Sequence, residues 1–388
     1  MDFGVLALIV LAGLMGPLLG AGRTVFVPVV VGEILAGLVV GRTGLDAVDP
    51  GDPTVRFLSD VGFAMLMFTV GAHMPLRDPR LPAALRSGAV AAGVVLLLGP
   101  PAGAVAAWFA GTGDAAIYAV ILGSGSAAAV LTMLAEARLT GPPALTVIGQ
   151  VTIADVVTVL AIPLVLQPDR VANAARGGAL VAAGAGAVYA VAHRLYREGW
   201  THRLRRRSKQ RRWALDLRLS LLVLFTLAWL AQASGTSVLI AGFGAGLLVA
   251  ALGGPDRLFT QVRGLADGFF VPLFFVVLGA RLELGAVIEH PSILRLTIAL
   301  LVLNIAVHLL AAGLSRQRAS AAMIATAQLG VPAAVVTLAL PDRVLSEAQG
   351  AAIITAALAS LGIAALGTAL LAREARLLAG GSRYTGEA

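Results

Sequence analysis

Long apolar runs separated by short polar punctuation dominate the chain. Runs bounded by Gly, Pro and Arg predict about 13 spanning helices, at residues 2–21, 25–41, 57–75, 85–110, 114–138, 143–166, 174–195, 215–233, 236–253, 264–281, 292–314, 319–340 and 347–372. A hydrocarbon core about 30 Å thick calls for helices of about 20 apolar residues. The predicted fold class is therefore all-α and polytopic in a membrane.

Composition agrees with that reading. Of 388 residues, 58% are hydrophobic and 13% charged, with a mean hydropathy of +0.90, against roughly 45–50% apolar in a soluble domain. The formal charge of +8 raises the question of nucleic acid. However, the basic residues fall between apolar runs, and no aromatic stacking platform is interleaved with them, so no nucleic-acid partner is expected. Topology accounts for them better. The run His202 to Arg212 between spans seven and eight belongs on the cytoplasmic side by the positive-inside rule, as a plain anchor or as a lipid contact. Counting outward from it places Arg23, Arg77, Arg80, Arg86, Arg138, Arg257, Arg263, Arg316, Arg318, Arg373 and Arg376 on the same side, and the acidic loop Asp46, Asp49 and Asp52 outside. The expectation is a multi-pass protein of the inner (cytoplasmic) cell membrane, N-terminus out and C-terminus in. Residues 1–4 lack the basic start of a cleaved signal peptide. There is no cysteine, hence no disulfide and no thiolate metal site. No phosphate loop, metal cluster or nucleophile triad suggests an enzyme or a cofactor.

The chain also repeats itself. Val27 to Gly41 is echoed by Val238 to Leu248, and Leu58–Phe63 with Phe68–Leu76 by Leu265–Phe270 with Val276–Leu284, both at an offset of about 207–211 residues. Seven helices, an odd number, separate the copies, so the second copy is inverted. Inverted repeats with discontinuous helices near the midplane are the architecture of alternating-access carriers. The repeats divide the chain into 1–173 (spans one to six), a linker helix and basic loop over 174–214, and 215–388 (spans eight to thirteen).

Two spans carry helix breakers. Span five contains Gly123, Ser124, Gly125 and Ser126; span twelve contains Gln328, Gly330 and Pro332. Gly tolerates non-helical torsions and Pro removes a backbone donor, although Gly and Ser also serve close helix packing. Crossing half-helices leave peptide dipoles that need charge or ion ligands at the membrane centre. Asp155 supplies such a charge. A carboxylate in mid-span costs roughly 2.5–3.5 kcal/mol on insertion scales and is placed on ion or proton pathways. Thr152 and Thr158, three residues to either side, share its helix face. Ser124 and Ser126 offer hydroxyl oxygens from the crossing helix, unless each back-bonds its own helix.

Taken together, Pro28 through Gly32-Glu33-Ile34-Leu35-Ala36-Gly37 with Gly41, the stretch Phe68 to Gly71, the Ser124 to Leu134 segment, the Asp155 helix and Phe274 to Gly279 resemble the membrane domain of the monovalent cation:proton antiporter-2 superfamily, the Kef-type and sodium/proton exchanger group. The resemblance covers essentially the whole chain, without a C-terminal nucleotide-binding regulatory domain. It implies that Asp155 is the essential ion-binding and proton-carrying aspartate. The family's Asp, Asn or Gln before it is Ala154 here, and the acidic residue of the family's crossover is Val331. A family lysine aligns with His308, which is either a packed imidazole or else a titrating partner of Asp155 or a pH sensor. The resemblance assigns Glu33 a structural role. Arg281 and Glu283 read as an interfacial pair, with gating as the alternative, and Asp60 and His73 read as interfacial groups.

The expected function is exchange of a monovalent cation, sodium or potassium, for protons. Desolvation disfavours a charged carboxylate and a nearby cation favours it, so proton and cation compete for Asp155. The expected scaffold is a homodimeric two-domain carrier, with a core from spans three to six and ten to thirteen and a dimerisation domain from spans one, two, eight and nine. With Ala154 beside Asp155, one proton would exchange for one cation. Rival readings are an organic-solute carrier of related inverted-repeat fold and a transport-inactive sensory derivative.

Overall fold

The computed structural model describes residues 2–20, 29–72, 76, 79, 81–166, 171–197, 215–234, 238–252, 261–262, 264–282 and 291–384. These form helices α1 (Phe3–Gly20), α2 (Val29–Val40), α3 (Pro53–Ala72), α4 (Leu81–Ala110), α5 (Ala115–Leu122), α6 (Ala127–Glu136), α7 (Pro142–Leu166), α8 (Val171–Arg197), α9 (Leu215–Ala233), α10 (Val238–Leu252), α11 (Val271–Arg281), α12 (Pro291–Leu314), α13 (Ala319–Ala325), α14 (Gly330–Ala339) and α15 (Glu347–Tyr384). A π-helical turn, Ala266–Phe270, leads into α11. No strand occurs among the described residues. Six of the described helices are long and apolar enough to cross a membrane, counting Ala319–Ala339 through its interruption, and five shorter apolar helices accompany them. Arg23, Pro28, His73, Arg77, Arg80, the basic run 202–212, Arg257, Arg263 and Glu283 lie outside the described residues.

The chain folds as two units. The first contains α1–α3 and α8–α11 and is held by backbone-to-backbone contact. A Cβ on Gly37 of α2 would collide with the Val276 carbonyl of α11, and one on Gly279 with the Ile34 carbonyl. A Cβ on Gly71 of α3 would strike the Phe243 carbonyl of α10, and one on Gly246 the Phe68 carbonyl. Small residues let apolar helices approach this closely where no water drives them together. Phe63 stacks on Phe274 with ring centroids 5.5 Å apart, and Ile34, Met65, Leu239 and Phe275 are fully buried. Glu33 is buried on α2 beside Gly16 of α1. Spans three and ten, grouped with the core in the sequence-based division, correspond to α3 and α11 and pack in this first unit. The interlocking glycines of α3 and α10 provide the reason.

The second unit contains α4–α7 and α12–α15. Helix α7 leaves Val157, Leu160 and Leu164 exposed along one stripe and packs against α4, where Gly149 meets the Ala84 carbonyl and Gly88 meets the backbone of Gln150. At one end of this unit, α15 begins with a reciprocal cap: Ser346 Oγ accepts from Gln349 N at 3.1 Å and Gln349 Oε1 accepts from Ser346 N at 2.8 Å. The same Gln349 donates through Nε2 to Asp114 at 2.6 Å and to the Tyr118 hydroxyl at 3.1 Å, which ties the start of α5 to α15. At the other end, Glu374 of α15 accepts from Arg318 at 3.1 Å and from Ser320 at 3.2 Å.

Candidate functional site

Both suspected spans are interrupted. Helix α5 ends at Leu122 and α6 starts at Ala127, with Gly123, Ser124, Gly125 and Ser126 between them. Gly125 lies against Val151 of α7, where a Cβ would come to 3.1 Å from the valine side chain. Ser126 turns extended, at φ −134° and ψ 95°, and caps α6 by accepting from Ala129 N at 3.4 Å. The second interruption, Thr326 to Leu329, falls earlier than Pro332 suggested. Gly330 and Pro332 sit in the first turn of α14, where a proline needs no intrahelical donor.

Asp155 is 3% exposed on α7, and its Oδ2 accepts from the backbone N–H of Ala127 at 3.3 Å. That N–H opens α6. It is one of the donors a helix start leaves without an intrahelical partner, and the positive end of the half-helix dipole favours a carboxylate there.

The other interruption meets the first through side-chain amides. Gln328 Nε2 donates to the Ile121 carbonyl at 2.7 Å and to Asn304 Oδ1 at 3.1 Å, while its backbone N donates to Ser360 Oγ at 3.1 Å. Asn304 of α12 donates through Nδ2 to the Thr326 carbonyl at 3.0 Å. Thus the carbonyls freed at the ends of α5 and α13 are both satisfied, as buried backbone acceptors must be.

The predicted hydroxyls divide. Ser124 Oγ donates to the Ile121 carbonyl at 2.7 Å and Thr158 Oγ1 to the Ala154 carbonyl at 2.7 Å, each back-bonding its own helix. Thr152 Oγ1 is buried without a partner in the protein. His308 is 1% exposed, and its Nδ1 lies 2.9 Å from the Asn304 carbonyl. Facing a carbonyl, that nitrogen carries the proton. The imidazole bonds to its own helix and makes no hydrogen bond to Asp155. Ala154 and Val331 are buried and apolar. Sequence reasoning missed Asn304 and Ser360; the one available signal was an amide a single turn before His308.

Two interrupted helices joined by buried amides, beside a carboxylate on a third apolar helix, characterise a membrane transporter. Residues 6–374 match the sequence profile of the family described as sodium/hydrogen exchanger, transmembrane, and the chain belongs to that family. It is a transporter family, not an enzyme family. YjbQ of Bacillus subtilis (strain 168), a proposed Na(+)/H(+) antiporter, is 27% identical over 326 residues, covering 77% of this chain and 51% of that protein. The chain therefore spans about half the length of this curated relative. The fold is similar to that of the sodium proton antiporter MjNhaP1 from Methanocaldococcus jannaschii at pH 8, with a TM-score of 0.61, 16% identity, and 97% of each chain covered.

Proposed function

We propose that the protein is a secondary antiporter that exchanges a monovalent cation, Na+ or K+, for protons by alternating access, with Asp155 as the shared site. The observation that carries this reading is the buried Asp155 carboxylate held against the first N–H of half-helix α6. A charge in that position is compensated by one peptide donor and the half-helix dipole, leaving room in its coordination for a proton or a cation but not both. Hard oxygen ligands suit small cations. Asp155 and the nearby Thr152 hydroxyl supply them from α7.

The reading includes 13 spans in inverted repeats, a homodimer, and an inner-membrane location with the N-terminus outside. The glycine contacts support the repeat. Gly37 meets α11 near Gly279, and Gly71 meets α10 near Gly246. Shifting Gly37 and Gly71 by the repeat offset gives Gly246 and Gly279, so one contact is the image of the other.

The test is proton flux in vesicles containing the purified protein, with each alkali cation added in turn. The wild type is expected to move protons against Na+ or K+, and Asp155→Asn to abolish that movement. Undiminished exchange in Asp155→Asn overturns the assignment.

A further inference from the structure

Apart from Asp155, Glu33 is the only buried carboxylate among the described residues. It sits on α2 at 3% exposure, and its Oε2 is buried with no hydrogen-bond partner among the described residues. Such a group is rare in native proteins. Its surroundings are built from glycine. A Cβ on Gly16 of α1 would stand 2.8 Å from Glu33 Cγ, and one on Gly32 would stand 2.7 Å from Gly16 Cα, so α1 and α2 are in backbone contact beside this side chain. Gly13, three residues before Gly16 and on the same face of α1, lies against the start of α11, where a Cβ would come to 3.1 Å from the Pro272 side chain. Gly13, Gly16 and Pro272 bring no side-chain oxygen to this seam.

No cation compensates a charge there. Helix α2 packs against α1 and α11. Helix α1 has no charged residue, with Asp2 just ahead of it; α2 has none besides Glu33, and α11 has only Arg281, its last residue. Gly37 meets Val276 and Gly41 meets Ala280, so α2 and α11 run in the same direction, and one turn earlier Glu33 and Pro272 stand level. Arg281 lies nine residues beyond Pro272, about 14 Å along the axis. The charged group that acts on Glu33 is Asp267 of the π-helical turn, an acid like itself. An ionised Glu33 would thus be a buried charge without a counter-ion, which a folded protein sustains only at high cost.

We propose that Glu33 is a proton-binding site separate from Asp155, filled while α1 is closed on α2 and emptied as that junction opens. The ligand is a proton and not a metal cation. A cation needs several oxygens in place of its hydration shell, and one carboxyl against glycine supplies too few, whereas a proton needs a single lone pair. Glu33 belongs to the first unit and Asp155 to the second, and the proposal does not rest on the reading of Asp155.

The test uses the wild type in proteoliposomes and dicyclohexylcarbodiimide, an apolar reagent that adds to protonated carboxyls. The acid proton passes to one nitrogen, the carboxyl oxygen bonds to the central carbon, and an acyl shift to the other nitrogen fixes the adduct with no atom lost. Peptide mapping by mass spectrometry, which separates Glu33 from Asp155, should find an adduct at Glu33 that falls severalfold as pH rises and is unchanged by saturating Na+ or K+. Glu33→Gln copies the shape of the neutral acid. A proton held by the native state and released on unfolding makes stability fall as pH rises, so the thermal midpoints of wild type and Glu33→Gln should converge towards acid pH, with the wild type dropping below the variant as pH rises. A difference between the midpoints that does not change with pH, or an adduct at Glu33 blocked by Na+ or K+, overturns the proposal. Should Glu33→Gln fold poorly, labelling of the wild type decides alone, and absence of an adduct at Glu33 across the pH range overturns the proposal as well.

Discussion

Gln328 Nε2 donates to the carbonyl of Ile121 at 2.7 Å, joining residues 207 positions apart. That separation falls within the offset of the internal repeat. Under the inverted-repeat reading the two partners hold equivalent places in the two copies, and a pseudo-two-fold axis passes through their contact. On that reading the interrupted helices meet through the side chain of one copy and the backbone of the other.

Gln328→Leu keeps approximate volume and strands Asn304 Oδ1, while the Ile121 carbonyl keeps its donors from Ser124. A buried orphan costs about 1–3 kcal/mol, so the variant should lose about that much stability. Thermal unfolding in detergent would record this as a lowered midpoint. An unchanged midpoint would show that the amide bridge contributes nothing to holding the crossing together.

Asp155→Asn separates chemistry from folding. The amide oxygen still accepts from Ala127 N, so stability should stay within about 1 kcal/mol of wild type although exchange is lost. Asp155→Leu leaves that N–H unpaired and should cost about 1–3 kcal/mol more. Equal stability of the two variants would remove the capping role of the carboxylate.

Asp155 is the only carboxylate among the buried described residues of the second unit. Exchange is therefore expected to move one proton per monovalent cation and no net charge. With the membrane potential clamped at opposite signs, rates should agree. Because His308 bonds to the Asn304 carbonyl, His308→Gln should leave this independence of potential intact and cost about 1 kcal/mol of stability. Rates that change sharply with potential, and cease to do so in His308→Gln, would instead assign a second carried proton to the imidazole.

Gly37→Val and Gly246→Val both thrust a side chain into a facing backbone. Overpacking of this kind costs about 1–3 kcal/mol or more, and the repeat relation predicts similar losses at the two positions. Folded yield and thermal midpoint would show it. A tolerated substitution at one position and a ruinous one at the other would count against the repeat.

Local signals were legible along the chain. Gly123 and Gly125 marked a break, and Asp155 stood out because a charge in an apolar helix has few structural uses. Pro332 misplaced the second break because proline fits a first helical turn as readily as it ends a helix. Asn304 and Ser360 were invisible as partners of Gln328. Their bonds span 24 and 32 residues, and nothing in the local pattern of an apolar helix says which distant backbone group a polar side chain will meet. The placement of α3 was equally hidden, since it depends on glycines that match only once two helices are side by side.

The eight-residue helix α5 is clamped by a glutamine at either end. Gln349 grips its start through Asp114 and Tyr118, and Gln328 grips its last turn through Ile121. A strut about 12 Å long, pinned at both ends, is held against swivelling and sliding by these hydrogen bonds. Any movement of the Gly123–Ser126 elbow must then be taken up on the other arm, by α6 and by the Asp155 carboxylate that holds its first peptide. Arrival of an ion would be felt as a swing of one arm of a lever whose other arm is fixed.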